Sequence, residues 1–97
     1  MKDIRLDGNK IVNKETFYEE IESKLASRLD FVMEQKLESL IDVLDVGLKN
    51  GGEREPMHIT WDNYSASKEN VPETFMSVVL EIFDMFESKD LSYDLND

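Results

Sequence analysis

Three carboxylates stand out by their spacing. Glu38, Asp42 and Asp45 recur at i, i+4 and i+7, which on a helix gathers them within about 60° of arc, as one narrow stripe. Like charges at i, i+4 repel by about 0.2–0.5 kcal/mol per pair. Two of the three also fall toward the C-terminal half of the segment, where the helix dipole disfavours negative charge. A helix built only for stability would gain from a lysine at one of these sites. Val43 and Val46 border the stripe, off the expected core face. An acidic stripe with an apolar margin has the chemistry of a docking surface for a cation-lined cleft. The plainer alternative is a solvated helix face.

The other chemistry-bearing residues form no catalytic pattern. There is no cysteine nucleophile, no glycine-rich phosphate loop between strand and helix, and no helix carrying two histidines. Gly51-Gly52 lies in a long polar stretch, a poor phosphate cradle. The single histidine, His58, sits inside an alternating segment, and as a general base it would need an orienting partner and a cleft. It reads as a structural residue lying across a sheet. Asp3, Asp7 and Asp94 fall at strand ends where they could approach one another, but no ligand spacing groups them and no EF-hand pattern exists. No catalytic residue, metal ligand or cofactor is expected.

Charge narrows the partner. Twenty-two acidic residues against eleven basic ones give a net charge of -11. Affinity for nucleic acid comes largely from Lys and Arg displacing counterions, so a polyanion is a poor direct ligand. A cationic protein is the electrostatic complement. The 97 residues, 40% hydrophobic and 9% aromatic, suit one packed domain over 1–97. No run reaches the roughly 20 apolar residues of a membrane span, and Met1-Lys2-Asp3-Ile4-Arg5 has no apolar signal core. Without cysteine the chain fits a reducing cytoplasm.

The elements that must position the stripe follow from periodicity. Ile4 and Leu6 alternate with charges before Gly8-Asn9, a short strand and its turn. Asn13 caps a helix over about 14–27 whose core face is Phe17, Ile21 and Leu25, with Glu19, Glu20, Glu22 and Lys24 on the wet side. Residues 28–33 form a connector with Phe31, Val32 and Met33 exposed. The second helix spans about 34–48 with Leu37, Leu40, Ile41, Leu44 and Leu48 as its core stripe. After a loop over 49–56, Met57, Ile59 and Trp61 alternate as a second strand, and Asp62 caps a short helix through Tyr64 and Lys68. Pro72 opens a last helix with Phe75, Val79, Ile82, Phe83 and Phe86 on one face. Leu91, Tyr93 and Leu95 make a third strand. Strands separated by helices imply a parallel sheet. Because all three alternate, the helices should pack mainly on one face. The fold class is a small three-stranded α/β layer.

In this order of elements the chain resembles the barstar family of ribonuclease inhibitors. The resemblance rests on Asp7-Gly8 after the first strand and on Phe17, Ile21 and Leu25. It continues through Leu37-Glu38-Ser39-Leu40-Ile41-Asp42-Val43-Leu44, Pro56-Met57-His58-Ile59-Thr60-Trp61, and Ser67-Lys68. It implies a non-enzymatic inhibitor whose second helix and preceding loop plug the active site of a basic ribonuclease, of extracellular type or a nuclease toxin. Asp42 then falls where the family places a substrate-phosphate mimic, with Glu38 one turn earlier. Phe31 or Val32 replaces an aromatic contact, and Asp84 falls near a further family acid on the last helix. Asp45 and Val46 complete the expected partner-binding set. The chain departs from the family at Glu34 or Met33 in place of a glycine, at Lys36 or Gln35 in place of an asparagine, at Ile41 in place of a tryptophan, and in a connection about five residues longer after the second helix. An immunity or interaction module with a different partner is the alternative this leaves.

Overall fold

The computed structural model describes residues 2–49 and 55–97; the Gly51-Gly52 stretch and most of the longer connection lie outside them. The element order is β1 (Lys2–Asp7), α1 (Lys14–Lys24), a 3-10 turn (Ala26–Leu29), α2 (Leu37–Lys49), β2 (Met57–Asp62), α3 (Tyr64–Asn70), α4 (Glu73–Met85), a second 3-10 turn (Glu87–Lys89) and β3 (Leu91–Leu95). The strands form one parallel sheet in the order β1-β2-β3. Ile4 stands beside Ile59, and Ile59 beside Tyr93.

Period-two alternation assigns the two faces of the sheet. Ile4, Leu6, Met57, Ile59, Trp61 and Leu91 are all buried, while Asp3, Arg5, His58, Thr60, Ser92 and Asp94 line the other face, exposed or partly so. Only the first face carries the core. There Phe17 of α1 stacks on Trp61 at 5.6 Å between centroids, and Phe75 of α4 meets Phe17 edge-on. Offset and edge-on pairs of this kind add to the burial term. The indole Nε1 donates to Ser67 Oγ at 3.0 Å, and that hydroxyl donates to the Gly8 carbonyl at 2.9 Å. The chain of bonds satisfies the one polar side-chain atom of Trp61, the largest fully buried side chain among the described residues. Gly8 is fixed by space: a Cβ there would collide with the backbone carbonyls of Asp62 and Asn63.

Several local expectations shift. The first helix ends at Lys24, and the 3-10 turn takes over before Asp30, which adopts φ 54°. Asp62 does not cap α3; it closes β2 and pairs with Arg5 at 2.7 Å, while Asn63 at φ 54° turns the chain into α3. Met33 is buried, not exposed. Glu20 is the largest surprise on α1. It is only 6% exposed, accepts the Asp7 N–H at 2.7 Å and pairs with Lys24 at 3.1 Å. Lys24 Nζ reaches the Arg5 carbonyl and Arg28 reaches the Asp3 carbonyl. Side chains from α1 and the turn after it thus occupy the Asp7 N–H and the Asp3 and Arg5 carbonyls on the outer edge of β1.

Candidate partner-docking surface

The helix that carries the acidic stripe starts later than periodicity suggests. Glu34, Gln35 and Lys36 precede it, and α2 runs from Leu37 to Lys49. Ser39 closes the entry: its Oγ accepts the Glu34 N–H at 2.9 Å, and its own N–H donates to the Lys36 carbonyl. The buried face is Ser39, Leu40, Val43, Leu44, Gly47 and Leu48, whereas Leu37 and Ile41 are only partly buried. The core stripe is therefore rotated toward Val43, which is fully buried and not a margin of the acidic face. Gly47 lies on this buried face, where a Cβ would press on the end of the Met57 side chain. Lys2, itself buried, donates from Nζ to the Gly47 carbonyl at 3.1 Å and ties β1 to the end of α2.

Rotation leaves the acids outside. Glu38 and Asp42 are exposed, and neither makes a hydrogen bond or ion pair with any described residue. Asp45 differs: Lys49 holds it at 3.0 Å. Val46 is exposed, as expected. Beside Asp42 the connector folds back, and a depression of about 210 Å³ is lined by Phe31, Val32, Glu34, Lys36, Glu38 and Asp42. Phe31 leans on the core, while Val32 is 89% exposed, the most open of the large apolar side chains among the described residues. Lys36 pairs with Glu34 at 3.0 Å. That bond, with Glu34 and then Glu38 nearby, holds the Lys36 ammonium above its ordinary pKa.

Six of the expected residues thus share α2 or its approach: Phe31, Val32, Glu38, Asp42 and, one turn on, Asp45 and Val46. Asp84 sits elsewhere. It is on α4, outside the depression, and accepts the Tyr93 hydroxyl at 2.6 Å. This bond is the main cause that pushes the Tyr93 phenol up to about 12. No spacing signal in the sequence pairs these two residues, nine apart across a turn.

His58 lies across the open face of the sheet, with Nδ1 2.7 Å from Ser92 Oγ and Nε2 3.0 Å from Asp94 Oδ2. The trio bridges β2 and β3 on the open face of the sheet. Among the described residues no group of three or more His, Asp or Glu gathers to hold a metal ion, so Asp3, Asp7 and Asp94 do not converge. No described helix is long and apolar enough to cross a membrane.

The chain is thus a parallel three-stranded layer with its core on one face and an acidic stripe on the second helix, of which Glu38 and Asp42 have no partner among the described residues. Compared with known families, residues 1–94 match the family described as Barstar (barnase inhibitor), and the chain belongs to that family. Its members are inhibitors, not enzymes, and their partners are proteins of ribonuclease type. No curated protein matches the chain.

Proposed function

We propose that this protein inhibits a basic ribonuclease by seating α2 and the connector before it in the enzyme's active site. The carrying observation is Asp42, an exposed carboxylate midway along a rigid helix that no described cation neutralises. A cleft evolved to hold phosphates presents fixed donors that a preorganised carboxylate can satisfy. In this reading Asp42 takes the place of a substrate phosphate, Glu38 extends the contact one turn toward the helix start, and Val32 and Phe31 fill an apolar neighbour site. Asp45, Val46 and Asp84 contribute at the rim, where charges set encounter more than affinity. The whole of 1–97 acts as one domain in a reducing cytoplasm, with no cofactor and no direct nucleic-acid contact.

Steady-state kinetics test the reading. Added to its target ribonuclease, the protein should raise the apparent KM for RNA and leave kcat unchanged, because plug and substrate exclude each other. Inhibition that lowered kcat at unchanged KM would contradict an active-site plug. The Glu34–Lys36 ion pair at the helix entrance favours a second reading, an immunity module for a different nuclease toxin. A charged pair at the approach selects a partner whose rim charges complement it.

A further inference from the structure

The two edges of the sheet are treated differently. On β1 the outward backbone groups belong to Asp3, Arg5 and Asp7, because Lys2 and Gly8 donate toward β2. Side chains cover part of that edge: the Asp3 and Arg5 carbonyls accept from Arg28 and Lys24, and the Asp7 N–H donates to Glu20. On β3, Met57 donates to the Asp90 carbonyl and Asn96 donates to the Trp61 carbonyl, so the even-numbered residues face β2. Leu91, Tyr93 and Leu95 then turn their N–H and C=O groups away from the sheet. The Leu91 N–H is taken by the Phe86 carbonyl. The N–H and C=O of Tyr93 and Leu95 meet no backbone or side-chain partner among the described residues. An edge left open in this way is a template for a further strand.

The surroundings define what that strand should be. An added strand continues both faces of the sheet. On the open face it would run beside Ser92 and Asp94, both exposed. On the other it would run beside Tyr93, half-buried, and Leu95, which is 39% exposed. Around the edge the charge is negative: Asp84 holds the Tyr93 hydroxyl, and Glu87 is close enough to act on it. Against these acids Lys89 is the nearest cation in sequence, and its ammonium lies over the Phe86 ring. A second copy of this chain would bring the same acids against themselves. We propose that the β3 edge is a second docking surface, which takes an extended segment of a partner protein with Lys or Arg on alternate residues and apolar side chains between them.

This surface centres on β3 and shares only Asp84 with the rim of the first, so the test separates the two. The probe is a ten-residue peptide alternating lysine with valine, its ends acetylated and amidated. The readout is residue-resolved amide exchange of the full chain. With peptide at saturation the Tyr93 and Leu95 amides should exchange at least tenfold more slowly, while Asp3 and Arg5 on the guarded edge stay unchanged. Leu95→Pro removes one outward N–H and breaks no ladder bond. It should weaken peptide binding at least tenfold, whereas Asp42→Ala should leave it unchanged. Peptide binding to wild type without protection of Tyr93 and Leu95 would overturn the proposal, whatever Leu95→Pro does to the fold. So would protection of those amides on raising the protein concentration without peptide, because a second copy would then be the occupant.

Discussion

Glu20 and Asp42 are acids on two helices of one chain, with opposite fates. Glu20 is 6% exposed, takes a backbone N–H of β1 and pairs with Lys24. Asp42 is exposed and binds nothing among the described residues. The first acid completes the fold, because a buried carboxylate persists only with its bonds made. The second does nothing for the fold, and its neighbours on α2 repel it. What separates a structural acid from one available to a partner is the presence of internal bonds, and net charge alone cannot show that.

Mutations break or sharpen this contrast. The largest stability effect should come from Glu20→Ala, which leaves the Asp7 N–H without its acceptor and Lys24 without its ion-pair partner. The cost should be about 2 kcal/mol, the range for a charged hydrogen bond lost from a buried site, read in urea unfolding. Inhibition by the folded fraction should not change, and a variant as stable as wild type would remove Glu20 from the fold's support. Ser67→Ala should cost a similar or smaller amount, about 1–2 kcal/mol, because the Trp61 Nε1 and Gly8 carbonyl lose their shared hydroxyl.

Tyr93 and Asp84 form an intermediate case, an exposed acid with an internal bond. The Tyr93 phenol has its folded pKa raised above the ordinary 10.0 to about 12. Its contribution to stability is therefore fully present below pH 10 and lost as pH rises toward 12. Burial raises Tyr18 and Tyr64 as well and adds to the same decline. Tyr93→Phe should flatten the fall of stability across that window, and an unchanged slope would mean the bond to Asp84 contributes nothing. Smallest of all, Asp45→Ala should change stability by no more than about 0.5 kcal/mol, since its pair with Lys49 is an exposed i, i+4 contact.

The sequence showed the sheet and its one-sided packing through strict alternation at Ile4, Leu6, Met57, Ile59, Trp61 and Leu91. It also showed the stripe of Glu38, Asp42 and Asp45, because helical periodicity depends only on spacing. It misassigned what depends on rotation about a helix axis. Val43 passed for a margin residue because Leu37 and Ile41 look equally suited to the core. The close approach of Gly47 to Met57 accompanies the rotation, and that contact spans two elements. Glu20 passed for a wet residue for the same reason. Its partners are a strand N–H and a lysine, and periodicity carries no record of backbone groups needing acceptors.

The central claim is that Asp42 is the group desolvated in the complex. Asp42→Ala should leave the melting temperature unchanged or slightly raised, since an acid is lost from a crowded acidic helix. It should weaken inhibition of the target ribonuclease by about 2–5 kcal/mol, a range that comes from charge pairs in a complex of this same family. At about 1.4 kcal/mol per factor of ten, that is roughly 30-fold or more in the inhibition constant. Glu38→Ala should cost less, and Glu19→Ala, on an exposed position of α1, nothing measurable. If Asp42→Ala inhibits as well as wild type, or Glu19→Ala is the weaker inhibitor, α2 is not the plug.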